Sequence, residues 1–118
     1  MFVTNLNEIK KVEIASGVKI GIALHTENIT ITVVEIDPGT RLEPHTHVQE
    51  QMGIVLQGKV RFFTGEEEKV LQSGDIYYFK SNEPHGLVVE SEEKLILMEI
   101  FYPKRDDLYR LIKSRSSE

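Results

Sequence analysis

Two alternating histidines, His45 and His47, are followed by Gln51 and, far downstream, by a Pro84-His85 step. Residues of equal parity on a strand point to one side. Read as one strand without a bulge, His45, His47 and Gln51 aim the same way and Glu50 points away. Gly53 shares their parity and leaves room beside them. His85 follows a turn containing Pro84, and antiparallel pairing would bring it opposite the His-x-His strand. Imidazole is the commonest protein ligand for transition metals, and three of the chain's 4 histidines fall in this pattern. His25 stands alone near a predicted turn and reads as a surface residue. The expectation is one divalent ion (Zn, Ni, Mn or Fe) on His45, His47, Gln51 and His85. An isolated His-x-His is equally well a pair of half-buried strand residues; the surrounding glycine, amide and Pro-His make this pattern more specific.

The amide has a chemical consequence. Three neutral imidazoles and one neutral amide leave the full charge on a divalent ion. Such a site favours an anionic substrate such as a carboxylate, and is less suited to a higher oxidation state during oxygen chemistry. Lewis-acid chemistry therefore ranks above dioxygenation.

The elements that must position these residues are short strands. Val18 to Leu24 alternates in part, and Ile29, Ile31 and Val33 share a parity. Further segments run over Gln51 to Leu56, Lys59 to Phe63, Lys69 to Leu71, Ile76 to Phe79, Leu87 to Glu90 and Leu95 to Tyr102. Asp37-Pro38-Gly39, Thr64-Gly65, Ser73-Gly74-Asp75 and Ser81-Asn82-Glu83-Pro84 punctuate them. Short strands at near-regular spacing predict a sandwich or barrel over about residues 10–102. Leu95 to Tyr102 is apolar on both parities except at Glu99, which predicts a strand covered on both faces. After Pro103 the pattern becomes helical over about 105–113. Asp106 is placed to cap, Leu108, Leu111 and Ile112 share a face, and the chain from Ser114 onward is expected to fray.

With 118 residues and no cysteine, the chain is read as one domain, without disulfides or a cysteine nucleophile. No apolar stretch spans a membrane and no signal peptide is expected, so a cytoplasmic, soluble protein is the reading. The net charge is -5. The basic residues near the C-terminus, Lys104, Arg105, Arg110, Lys113 and Arg115, are interrupted by acids. Nucleic acid is therefore not expected as a partner.

Taken together, Gly39, His45-Thr46-His47, Gln51 and Gly58 resemble the first cupin motif, and Gly74-Asp75 through Pro84-His85 resemble the second. The resemblance implies an all-β antiparallel cupin barrel, the double-stranded β-helix or jelly roll, with a short C-terminal helix. Gln51 stands where the first motif usually has Glu. Lys80 and Asn82 stand where the second usually has Pro and Gly, and Val89 where it has Asn.

A narrower resemblance lies in Gln49-Glu50-Gln51, Val55-Leu56-Gln57-Gly58 and the ending Glu99-Ile100-Phe101-Tyr102-Pro103-Lys104-Arg105-Asp106-Asp107. This ending is similar to that of pectin-degradation cupins, which open 4,5-unsaturated monouronates into linear keto acids. Glu99 replaces the usual Asp, and Tyr102 a usual small residue. The resemblance implies a metal-dependent, non-redox enzyme acting on a small anionic metabolite. Physically, Glu99 is a lone carboxylate on an apolar strand and suits proton transfer. Arg105 would grip a substrate carboxylate, and Phe101 would wall the sugar ring. Arg41, with the ligands' parity, is a further substrate-binding candidate. In the competing reading Glu99 and Arg105 pair with each other at the barrel rim, Phe101 is plain core and Arg41 is solvated. An iron-dependent dioxygenase and a non-catalytic sugar or metabolite binder stay open as alternatives. A homodimer is expected, two-fold dimers being the commonest oligomer.

Overall fold

The alternating apolar residues fold as strands wherever a turn signal lets the chain reverse. The structure is a computed structural model describing residues 1–116. After a 3₁₀ turn at Leu6–Glu8 come β1 (Val12–Ala15), β2 (Val18–His25), β3 (Thr30–Ile36), β4 (Arg41–His45), β5 (Glu50–Gln57), β6 (Lys59–Thr64), β7 (Glu68–Gln72), β8 (Ile76–Phe79), β9 (His85–Val89) and β10 (Leu95–Tyr102). Helix α1 (Asp106–Ser116) follows them. The strands form a six-stranded sheet, β1-β2-β3-β10-β5-β8, facing a four-stranded sheet, β4-β9-β6-β7. All strand pairings are antiparallel. This is the cupin barrel that the motifs imply. Residues 117–118 lie outside the described part.

The core lies between the sheets. Val34, Ile36, Val55, Leu95, Leu97 and Phe101 from the large sheet meet Val60, Phe62, Leu87 and Val89 from the small one. Leu108 and Ile112 of α1 are buried, and the helix packs on β1 and β2. It runs to Ser116, beyond the expected end at 113, and Ser114 and Ser116 bond back to the carbonyls of Leu111 and Ile112. Leu111, expected on the packed face, is 38% exposed and sits at its margin.

Strand β10 departs from its expectation. Its inner face, Leu95, Leu97, Glu99 and Phe101, is buried, but the outer residues Ile96, Met98 and Ile100 are half-exposed. The N-terminal segment covers part of that outer surface: Phe2, Val3, Leu6 and Ile9 share a groove with Ala23, Leu24, Ile31 and Met98.

Asn82 stands where the motif usually has glycine, at φ 63. Asparagine is among the few residues that visit this left-handed region, so the turn before His85 keeps a glycine-like shape.

Candidate active site

The sheet pairing brings the histidines together, by a route different from the expected single strand. His45 ends β4 and is the register partner of His85 at the start of β9, as antiparallel pairing predicted. His47 lies in the loop between β4 and β5, and Gln51 is on β5 in the other sheet. The ring centroids of His45 and His85 are 4.5 Å apart, and those of His47 and His85 are 5.1 Å apart. The nearest ligand atoms of all three rings lie within 4.8 Å of one another.

Each ring is oriented by a backbone carbonyl two residues away. The Nδ1 atoms of His45, His47 and His85 face the carbonyls of Glu43, Gln49 and Glu83 at 3.4, 3.0 and 2.8 Å. A carbonyl only accepts, so at His45 and His85 these contacts favour the Nδ1–H tautomer and leave the Nε2 lone pair for a metal, an arrangement usual behind metal-ligating histidines. His85 Nε2 is buried and has no hydrogen-bond partner. Gln51 Oε1 lies 2.9 Å from His47 Nε2. Both ring nitrogens of His47 thus face acceptor oxygens, and a neutral imidazole has only one N–H to give; a cation held by the other nitrogen would satisfy it. The donor set fits a divalent ion. His45 is exposed while His85 is buried, so one side of the centre stays open to substrate.

Burial holds the His85 imidazole down to about 4, with the neighbouring His45 and His47 pushing the same way; burial lowers His47 too. A group with a depressed folded pKa contributes stability that is present above its unfolded value and lost as pH falls through the folded one. Metal-free protein should therefore lose stability from about pH 6.5 down to about 4. Chelator-treated protein melted across this range, beside a His85→Gln variant with a flatter profile, checks this.

Glu99 is 7% exposed. The tyrosine hydroxyl of Tyr77 and the amide of Gln51 both donate to its Oε2, at 2.6 and 2.5 Å. Burial raises the Glu99 carboxyl above the usual carboxylate range, against these two bonds and the Arg105 charge. Tyr77 reaches it because the residue between them has no side chain: Glu99 pairs with Gly53, and Gly53 with Tyr77. A Cβ at position 53 would fall against the Tyr77 ring. The room that Gly53 leaves is thus for the phenol of Tyr77, a residue the sequence reading missed. Gly53→Ala should cost about 1–3 kcal/mol by overpacking, measurable by urea unfolding. Thr32 precedes Glu99 in the same row, and its buried Oγ1 has no hydrogen-bond partner.

Arg105 and Glu99 do not pair with each other. Arg105 bonds Asp107 through Nη2 at 2.9 Å and Nε at 3.4 Å, and its guanidinium lies 5.1 Å from the Phe101 ring centroid. Its backbone N–H donates to Thr30 Oγ1. Phe101 also meets the edge of His47, at 5.6 Å. Asp107 is held below the usual carboxylate range by Arg105. His45, Gln51, His85, Glu99, Phe101 and Arg105 all line one cavity of about 420 Å³.

Two further expectations need correction. Arg41 does not line that cavity: it pairs with Glu43 at 2.8 Å and lies 4.7 Å over the Phe63 ring. The cause is a register shift between Leu42 and His45, which puts both of them on the cavity and breaks the parity that linked Arg41 to the histidines. His25 is half-buried, not a surface residue. It contacts Thr30 Oγ1 at 2.8 Å and Asp106 at 3.2 Å and stacks on Tyr109, tying β2 to α1.

Comparison with known proteins agrees with this geometry. The cupin domain family matches residues 32–101. The pectin degradation protein KdgF of Dickeya dadantii (strain 3937) is 32% identical over 96 residues, which is 80% of this chain and 86% of that protein. An H2HPP isomerase of Bacillus subtilis is 29% identical over 75 residues, 63% of this chain but 32% of the relative. The structure of KdgF from Halomonas sp. superposes with a TM-score of 0.82 at 28% identity, covering 88% of this chain and 94% of that one. On motifs, barrel and relatives together, the chain belongs to the cupin family and is a homologue of the pectin degradation protein KdgF.

Proposed function

We propose that this cupin opens 4,5-unsaturated monouronates into linear keto acids, with a divalent ion held by His45, His47, Gln51 and His85. One observation carries the reading: the buried Glu99 carboxyl faces the same cavity as two of the imidazoles, with Phe101 and Arg105 beside it. The name of the Dickeya relative, a pectin degradation protein, agrees with it. The bound ion supplies a Lewis acid for negative charge developing on substrate oxygen.

The reaction is an isomerisation and needs no oxidant. The anomeric hydroxyl loses its proton, C1 becomes an aldehyde, and the C1–O5 bond breaks. The released electrons leave an enolate at O5, C5 and C4, which takes a proton at C4 and becomes a ketone. Glu99 relays the proton. Tyr77 and Gln51 both hold Oε2, leaving Oε1 for the substrate. Arg105 receives the carboxylate on the N–H groups that Asp107 does not occupy. Phe101 walls the ring.

Loss of the conjugated double bond's ultraviolet absorbance, followed with metal-loaded protein, tests this. Turnover well above the spontaneous rate is expected. Binding without turnover would mean a sensor, and oxygen uptake requiring ferrous iron would mean a dioxygenase.

The protein acts as a homodimer in this reading. Register rows make the outer face of the large sheet a continuous apolar patch: Ile100, Met52 and Tyr78 in one row, Met98, Ile54 and Ile76 in the next. Ile76 is 77% and Tyr78 50% exposed. A second copy covers such a face on a two-fold axis. Light scattering should give twice the chain mass, and Ile76→Lys should give the monomer.

A further inference from the structure

The uronate uses only the polar end of the cavity. Beyond it the wall is formed by Val18, Ile20, Val34, Ile36, Leu97 and Leu108, all buried. A polyhydroxylated ring would leave its hydroxyls unpaired against such a wall. An open apolar space in a core costs stability, since its lining loses packing partners. A volume of about 420 Å³ is that of a small-molecule site, where apolar walls bury the body of a ligand and a few polar groups fix its orientation.

The polar end also restricts the head group. On the proposed reading, on which this inference rests, the product of ring opening is itself a 2-keto acid, formed by protonating the carbon next to the ketone. The reverse of that last step removes a proton from such a carbon. Arg105 meets the carboxylate, and Glu99, held through Oε2 by Tyr77 and Gln51, stands over the cavity.

We infer that the same site enolises 2-keto acids with an apolar body, the body lying against the Val34, Ile36, Leu97 and Leu108 wall. The step is balanced. Glu99 takes a proton from C3, the C–H electrons form the C2=C3 bond, and the keto oxygen becomes an enolate. Return of a proton to C3 restores the keto acid, so no oxidant or reductant enters.

The test is exchange of C3 protons for deuterium in heavy water, followed by proton NMR with metal-loaded full-length protein. Pyruvate, 4-methyl-2-oxopentanoate and phenylpyruvate serve as probes, with the uncatalysed exchange of each subtracted. Catalysed exchange of the two larger acids is expected at a kcat/KM about tenfold to a hundredfold above that of pyruvate, as burial of several carbons implies. Leu108→Asn should shrink that ratio. Equal kcat/KM for the three acids, or no catalysed exchange by protein that opens the uronate, would overturn the inference and leave the uronate reading intact. Exchange of the larger acids without uronate opening would support the inference and remove the uronate as substrate. Neither activity, with metal shown to be bound, would remove both.

Discussion

Glu99→Gln lowers kcat for uronate opening by about 10²–10⁴-fold, the range for loss of a positioned proton-transfer group, and leaves metal content unchanged. The substitution suits the geometry. The amide keeps the size of the carboxyl and still accepts from Tyr77 through its oxygen, so the row Glu99–Gly53–Tyr77 has no reason to move. What it loses is the ability to take a proton. The discriminating quantity is the split between kcat and KM. A transition-state role shows in kcat with KM little changed; a purely structural role shows in melting temperature and in both constants. Tyr77→Phe removes one of the two donors to Oε2, and should reduce kcat by less than Glu99→Gln does. Full activity in Glu99→Gln, assayed beside metal-loaded wild type, would remove Glu99 from the reaction.

His47→Ala loses most of the bound metal, more than the tenfold to hundredfold that changes behind the ligands cost. His47 is the informative position. It is not on a strand, is oriented by the Gln49 carbonyl, and faces Gln51 Oε1. Its removal takes away one imidazole and the neighbour that positions the amide. The surrounding loop keeps other ties: Asn82 N–H donates to the His47 carbonyl, and Ser81 Oγ to the carbonyl of Val48. The fold should survive, so metal analysis after dialysis, with circular dichroism as a control, reads affinity directly. In wild type, saturating metal should raise the melting temperature, because an ion that binds only the folded state stabilises it. That increment should disappear in His47→Ala. Unchanged metal content in the variant would refute the ligand assignment.

Much of this was legible in the sequence. The strand segments matched because strong alternation and turn residues act locally. The approach of His85 to His45 followed from pairing alone. What stayed hidden depends on partners far away or on a local irregularity. The register shift between Leu42 and His45 reversed the reading of Arg41, and only Pro44 beside it hinted at a break. Tyr77 was missed because its role exists only through Gly53 and Glu99, on two other strands. A glycine in register with an aromatic residue is the signal that would have found it. His25 looked solitary because Asp106 and Tyr109 lie more than 80 residues on. The Glu99–Arg105 pairing failed for a local reason, since Asp107 is two residues from the arginine.

The donors do not come from one layer of the barrel. His45 and His85 belong to the four-stranded sheet, and Gln51 to the six-stranded one. An ion shared among them would be a clasp across the seam, and the two layers could not part at that end without releasing it. Amide hydrogens of β4, β5 and β9 near the seam exchange with solvent only when such local openings occur. Metal occupancy should therefore slow their exchange selectively, while the far end of the sandwich, around Gly58 and Lys94, exchanges at its own pace. The ion that readies a substrate for reaction would also set how often the barrel breathes.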